Sequence, residues 1–222
     1  GVTISHLRFG DHPIRSPYYI NKADFVACHK TSYIKDFDIV SEIKPHGTFL
    51  LNTSWTGAEL EEHLPNRVKR QIAEREINFY TIDATAIAME LGLGNRTNTV
   101  LQAAFFKLSG IIPIEDAVKY MKDAIVKSYS KKGMDVVEMN HKAIDAGATH
   151  IQEIPVPAEW ANATTGAEPV KVQSTEYFRT FVEPILAQEG DSLPVSAFDP
   201  SGCVPTGTTK YEKRGIAVTV PE

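Results

Sequence analysis

The sequence has 222 residues, a formal net charge of −5 at pH 7, and 42% hydrophobic and 23% charged residues. This composition predicts a soluble globular protein of one or two domains. The acidic balance gives no reason to expect nucleic acid or an anionic membrane surface as a partner, and no apolar run reaches the roughly 18 residues of a membrane span. Cys28 and Cys203 are far apart and outside any CxxC pattern, so we expect reduced thiols in the cytoplasm.

The first eighty residues alternate short apolar runs with helical patterns. The runs predict strands over residues 2–7, 23–28, 48–52 and 78–82, and the periodic segments predict helices over residues 33–43, 58–64 and 65–76. Strands that alternate with helices favour an α/β fold with a mainly parallel sheet covered on both faces. Polar residues such as His29, Asn52 and Asp83 follow the strands, at the sheet edge where such folds collect ligands.

From residue 83 the pattern becomes helical. Apolar residues at helical spacing predict a helical extension over residues 83–91, 99–108, 114–128 and 135–148. From about Pro155 prolines become frequent, which predicts an irregular connecting segment without a core of its own. Within it, residues 176–188 predict a short helix interrupted by Pro184, and residues 215–220 predict a closing strand. Because Gly1 also opens directly into a strand pattern, we expect a segment of a longer polypeptide.

The loop Gly92–Asn98 is the most site-like stretch. Gly92 and Gly94 permit left-handed backbone angles and a close approach of a ligand to the main chain. Asn98 occupies the expected N-cap of the next helix, whose first N–H groups attract anions, and Arg96 adds a forked positive charge. The loop therefore predicts a corner that binds phosphate or amide groups, or simply a capped turn between two helices. It is not a dinucleotide fingerprint, because it follows a helix and lacks the third glycine.

The remaining polar residues indicate no catalytic group and no metal site. The seven histidines are scattered, no HxH, HxxxH or GxSxG pattern is present, and exposed helix ends account for the acidic residues. Asn140 falls on the polar side of the last helix, where the pattern alone predicts a solvated surface residue.

Four stretches of the sequence resemble the pyruvate:ferredoxin (flavodoxin) oxidoreductase family. They are residues 1–10, residues 23–29, residues 92–98 with 102–110, and residues 205–218. The resemblance implies that residues 1–169 form most of a Rossmann-like gamma-type domain whose first βα unit lies upstream, residues 170–210 a connecting domain, and residues 211–222 the start of a ferredoxin-like domain.

The resemblance also implies a function. The family decarboxylates pyruvate oxidatively on thiamine diphosphate with Mg²⁺, passes electrons through [4Fe–4S] clusters to ferredoxin or flavodoxin, and transfers the acetyl group to coenzyme A. By resemblance, Asn98 and Asn140 contact coenzyme A, with Gly92, Gly94 and Arg96 as supporting residues. This raises Asn140 from a surface residue to a ligand-binding one.

This sequence lacks the thiamine-binding domains and the cluster cysteines of that family. We therefore expect partners in other domains of the same polypeptide, a homodimer in the full enzyme, and no oxidoreductase activity from these residues alone. Two alternatives stay open: the gamma subunit of another 2-oxoacid:ferredoxin oxidoreductase, and an architectural domain that binds nothing.

Overall fold

A computed structural model of the chain describes residues 2–15, 18–164 and 175–211. The chain divides into two compact units. The first comprises residues 1–35 and 39–164, and the second residues 36–38 and 165–222. None of the described helices combines the length and apolar character that crossing a bilayer requires.

The first unit alternates strands and helices before it becomes helical. The strands are β1 (Ala23–Cys28), β2 (Ile43–Asn52), β3 (Asn78–Ile82) and β4 (Gln152–Glu153). The helices are α1 (Tyr33–Asp36), α2 (Gly57–His63), α3 (Asn66–Glu74), α4 (Ala84–Glu90), α5 (Asn98–Ser109), α6 (Ile114–Tyr129) and α7 (Met134–Thr149). A 3-10 turn at Ala158–Asn162 follows β4.

The strands form one sheet in the order β1-β2-β3-β4. β1 pairs with β2 and β2 with β3 in parallel, whereas β4 pairs antiparallel to β3 through Thr81 and Tyr80. The prediction of a mainly parallel α/β sheet is confirmed. The sequence did not predict β4, because two residues are too few to show any periodicity.

Helices cover both faces of the sheet. Phe49 and Leu51 of β2 pack with α2, α3 and Trp160 on one face. Leu50, which alternates with them, packs with α4, α5 and α7 on the other. A third cluster joins α5, α6 and α7 through Ala103, Met121 and Ile144, which is the predicted helical extension.

The predicted strand over residues 2–7 is wrong. Residues 2–15 form no ladder, and Ile4 and Leu7, which an extended chain would place on opposite faces, are 54% and 68% exposed. Alternation produces a strand only where a neighbouring strand supplies hydrogen bonds and one face is buried. Instead, the Ile20 N–H donates to His6 Nδ1 at 3.1 Å, and the Arg8 guanidinium lies 3.8 Å from the centre of the Tyr18 ring.

The predicted helix over residues 33–43 is also mostly wrong, because α1 ends at Asp36. Val40 and Ile43 are fully buried, and Ile43 begins β2, where it pairs with Ala23. The Arg75 guanidinium donates to the carbonyls of Ser41 and, at 2.8 Å, Ile43. Apolar spacing compatible with a helix is overridden here by strand pairing and a distant arginine.

The second unit has an aromatic cluster that the sequence did not predict. A π-helical turn, Phe178–Val182, leads into α8 (Glu183–Leu186), so the predicted helical segment over residues 176–188 is present in outline. Phe178 and Phe181 are buried and contact Tyr211 and Phe198, with ring centres 4.5 and 5.1 Å apart. The predicted closing strand at residues 215–220 lies outside the described residues.

Candidate functional site

The polar residues at the carboxyl ends of the strands are occupied by structural contacts. The Asn52 side chain is 8% exposed, accepts the Ala84 N–H at 3.0 Å and donates to the His29 carbonyl at 3.0 Å. Asp83 caps α4 by accepting the Ala86 N–H at 2.8 Å. Asn52 thus ties the end of β1 to the start of α4, and this edge of the sheet is held together by its own polar groups.

Gly92 and Leu93 close the end of α4. The Leu93 N–H donates to the Ala88 carbonyl at 2.8 Å and the Gly92 N–H to the Met89 carbonyl at 3.1 Å, as in a Schellman motif. Gly92 has φ 77° and Gly94 φ 61°, which explains why glycine stands at both positions. Leu93 between them is 2% exposed and anchors the loop in the core.

α5 begins one residue earlier than predicted. Thr97, not Asn98, is the N-cap, with helix-like angles of φ −88° and ψ −10°, and the Leu101 N–H donates to its carbonyl at 3.0 Å. Asn98 is therefore the first helical residue, and its side chain is exposed. The first-turn N–H groups, from Asn98 onward, have no carbonyl within the helix to bond to.

Arg96 gives the loop a fixed positive charge. Its Nε donates to the Leu93 carbonyl at 2.9 Å, while the residue as a whole is exposed. The partial positive charge at the start of α5 lies two residues away along the chain, so both features favour a negatively charged group at this point.

Asn140 is buried, so the pattern-based expectation of a solvated residue is wrong. It is 6% exposed, because α7 packs closely on α5. Its Nδ2 donates to the Val136 carbonyl at 2.8 Å, and its Oδ1 accepts the Thr99 hydroxyl at 3.2 Å. A polar helix position becomes interior when a second helix covers it, and the periodicity of one helix cannot reveal that.

The structure places Asn140 and the Gly92–Asn98 loop beside each other's chain neighbours. Asn140 contacts Thr99, the residue after Asn98, and a Cβ built on Gly92 would lie 3.3 Å from Sδ of Met139, the residue before Asn140. We call this region the α5 corner: residues Gly92–Asn98, Thr99, Met139 and Asn140. The sequence did not predict Thr99 or Met139, since only the packing of α7 against α5 makes them neighbours of the loop.

A cleft of about 280 Å³ between α5 and α6 adjoins the α5 corner at Thr99. Its walls are mainly apolar, formed by Phe106 of α5 and by Ala117, Met121 and Ile125 of α6. Thr99 therefore lies between this cleft and the buried amide of Asn140.

Cys28 shows no sign of reactive chemistry. Cys28 is buried, its thiol donates to the Lys30 carbonyl at 3.1 Å, and burial raises its pKa to about 11. A thiol with so high a pKa is a poor nucleophile at neutral pH. Among the described residues, no group of three or more His, Cys, Asp or Glu side chains is placed to hold a metal ion.

Two families match the sequence. The family described as pyruvate ferredoxin/flavodoxin oxidoreductase matches residues 1–150, and one described as a domain of unknown function matches residues 164–217.

Full-length relatives match across the whole chain. It is 49% identical over 222 residues to the pyruvate:ferredoxin oxidoreductase of Moorella thermoacetica and 49% identical over 223 residues to the pyruvate-flavodoxin oxidoreductase of Klebsiella pneumoniae. Each alignment covers 100% of this chain but only 19% of the relative, so the chain spans about a fifth of their length.

Among solved structures, the pyruvate oxidoreductase subunit PORC of Thermotoga maritima aligns with a TM-score of 0.48 and 19% identity, covering 60% of this chain and 66% of that one. The family match extends over 150 of the 222 residues. The chain therefore belongs to the pyruvate ferredoxin/flavodoxin oxidoreductase family.

Proposed function

We propose that this chain contributes the coenzyme A-binding region of an enzyme that oxidatively decarboxylates pyruvate and transfers the acetyl group to coenzyme A. In this proposal residues 1–169 are the gamma-type domain, residues 170–210 connect it onward, and residues 211–222 begin a ferredoxin-like domain. Thiamine diphosphate, Mg²⁺ and the [4Fe–4S] clusters belong to other parts of the polypeptide, and the full enzyme is a homodimer that passes electrons to ferredoxin or flavodoxin.

One observation supports the coenzyme A assignment above the others. Asn98 and Asn140 are 42 positions apart in the sequence, yet Asn140 contacts the residue next to Asn98 through a 3.2 Å hydrogen bond. The family resemblance assigns both residues to coenzyme A without any use of geometry, and the two residues stand on helices, α5 and α7, that pack against each other.

The chemistry of the α5 corner suits the ligand. Coenzyme A carries a diphosphate and a 3′-phosphate, and the corner offers first-turn N–H groups, the Arg96 guanidinium and the carboxamides of Asn98 and Asn140. These groups are mainly hydrogen-bond donors and positive charges. Phosphate oxygens accept hydrogen bonds from such donors and are attracted by such charges. The adjoining cleft is mainly apolar, so it offers further contact surface to the ligand without adding charge to the site.

The residues of this chain do not suit the metal cofactors. A [4Fe–4S] cluster takes four thiolates, and the sequence contains two cysteines, one of them buried with a raised pKa. The chain has the same identity, 49%, to one enzyme named for ferredoxin and one named for flavodoxin. In this proposal the choice of electron acceptor therefore depends on another region of the polypeptide.

Calorimetric titration of coenzyme A into the intact enzyme tests the proposal. We expect Asn98→Ala to raise the dissociation constant about tenfold, because a hydrogen bond to a charged phosphate contributes roughly 1.5 kcal/mol. Asn98 is exposed, so the substitution should leave folding intact. Asn162→Ala, at another exposed asparagine of the first unit, is the matched control and should bind like wild type.

The same titration separates the alternatives. If Asn98→Ala and Asn140→Ala both bind coenzyme A as tightly as wild type, the assignment fails and an architectural role gains support. If coenzyme A binding depends on both residues but another 2-oxoacid is turned over faster than pyruvate, the chain belongs to an enzyme for that other substrate.

A further inference from the structure

The Asn140 carboxamide is held at two points. On one side Nδ2 lies 2.8 Å from the Val136 carbonyl, which can only accept a hydrogen bond. On the other side Oδ1 accepts the Thr99 hydroxyl at 3.2 Å. The first contact determines which end of the amide is the nitrogen, and the second prevents rotation of the amide plane about that contact.

This arrangement leaves one donor unused. Nδ2 carries two hydrogens, and the Val136 carbonyl takes one of them. Within residues 2–15, 18–164 and 175–211, no acceptor bonds to the other. Asn140 is 94% removed from solvent, so an unused donor there has a free-energy cost unless a ligand accepts from it.

We propose that Thr99 is a positioning residue, whose hydroxyl holds the Asn140 carboxamide so that its second Nδ2–H donates to an acceptor oxygen of the bound ligand. The inference rests on the proposed function, in which that ligand is coenzyme A and the oxygen belongs to a phosphate or a carbonyl. In this role Thr99 acts on the ligand through Asn140.

Two substitutions at one position separate the hydroxyl from the rest of the side chain. Thr99→Val keeps the branched shape but removes the donor, whereas Thr99→Ser keeps the donor. In the intact enzyme we expect Thr99→Val to raise the dissociation constant for coenzyme A about five- to tenfold, with Thr99→Ser within about twofold of wild type. The KM for pyruvate should not change in either variant.

A double-mutant cycle shows whether Thr99 acts through Asn140. In an Asn140→Ala background, Thr99→Val should weaken binding no further, because the group that it positions is gone. Additive losses in the double variant would overturn the proposal, since they would mean that Thr99 acts on the ligand independently. So would a Thr99→Val enzyme that binds coenzyme A like wild type.

Loss of stability must be separated from loss of positioning. Thr99→Val leaves Oδ1 buried without its partner and should lower the unfolding midpoint. Ile72→Val is the matched control: Ile72 is fully buried on the other face of the sheet, and the change costs about 0.5–1.5 kcal/mol. It should lower the midpoint without changing the dissociation constant. A control that weakens binding equally would refute positioning by Thr99.

The same variants distinguish failure of this inference from failure of the proposed function. If Asn98→Ala and Asn140→Ala leave coenzyme A binding unchanged, the proposed site is wrong and the inference falls with it. If those variants bind weakly while Thr99→Val binds normally, the site stands and only the positioning role of Thr99 is refuted.

Discussion

Gly92 and Gly94 have the left-handed angles that glycine permits, a property of the residue itself. The pattern of α7 places Asn140 in solvent, yet it is buried, because its environment is set by α5, some forty residues earlier. Asn98 is displaced by one residue from the predicted cap, an error typical of helix ends.

Glu61 is a residue whose effect on stability should depend on pH. Lys69, 6% exposed, places Nζ 2.8 Å from Glu61 Oε1, and the Trp160 indole N–H donates to the same carboxylate. These contacts, with Lys69 as the larger cause, lower the Glu61 pKa from its usual value of 4.5. The ionised form therefore favours the folded state above pH 4.5, and this contribution is lost as pH falls through the lower folded pKa.

We expect Glu61→Gln to be less stable than wild type at neutral pH, and the difference to shrink at low pH. Urea unfolding at pH 7, and again at a pH about two units below the usual glutamate pKa of 4.5, measures the free energy of unfolding under both conditions. Glu62→Gln, at the exposed neighbouring position, should match wild type at both. A Glu61→Gln deficit that is the same at both pH values would exclude the ion pair as its cause.

Elements are predicted well where one long periodic run forms one helix. The helices α5, α6 and α7 agree with their predicted bounds to within about one residue at each end. The prediction is wrong for residues 33–43, where Arg75 and the pairing of Ile43 with Ala23 decide the outcome. Both are contacts between distant residues, which local spacing does not encode.

The α5–α7 contact requires glycine at position 147. A Cβ built on Gly147 would lie 2.2 Å from the Val100 carbonyl oxygen and 2.9 Å from Ala103 Cβ, so the two helices could not keep their separation. We expect Gly147→Ala to destabilise the chain by about 1–3 kcal/mol, against the usual gain from alanine in a helix.

Chemical denaturation checks this expectation, with Gly57→Ala as control. Gly57 begins α2, and a Cβ there would have no atom within 4 Å, so alanine should be neutral or stabilising.

Because Val100 follows Thr99 directly, Gly147→Ala should also weaken coenzyme A binding through displacement of α5. A Gly147→Ala chain as stable as wild type would show that the helices move apart without cost.

For the chain as a whole, the family and the mainly parallel sheet are accessible from sequence, whereas the grouping of residues 36–38 with the second unit is not. The resemblance extends over the entire chain, as the relatives of 49% identity confirm. The aromatic cluster of Phe178, Phe181 and Phe198 could not be predicted, because its residues lie in a proline-rich stretch without periodicity.

The isolated chain should have no oxidoreductase activity. It offers two cysteines where one cluster needs four thiolates, and it spans only 19% of the relatives named for the reaction. Residues 1–222, given pyruvate, coenzyme A and a viologen dye, should leave the dye oxidised, whereas under the proposed function the intact enzyme should reduce it. Dye reduction by the isolated chain would contradict the proposed division of labour.

Residues 36–38 group with the second compact unit, although well over a hundred residues separate them from its remainder. A unit assembled from two separate stretches cannot be obtained by cutting the chain once. A polypeptide that starts at residue 165 or 170 would lack these three residues, and one that ends there would carry them without their unit. Fragments for expression should therefore be designed from the contacts of the folded chain and not from a single cut point. The fragment of each unit should contain residues 36–38.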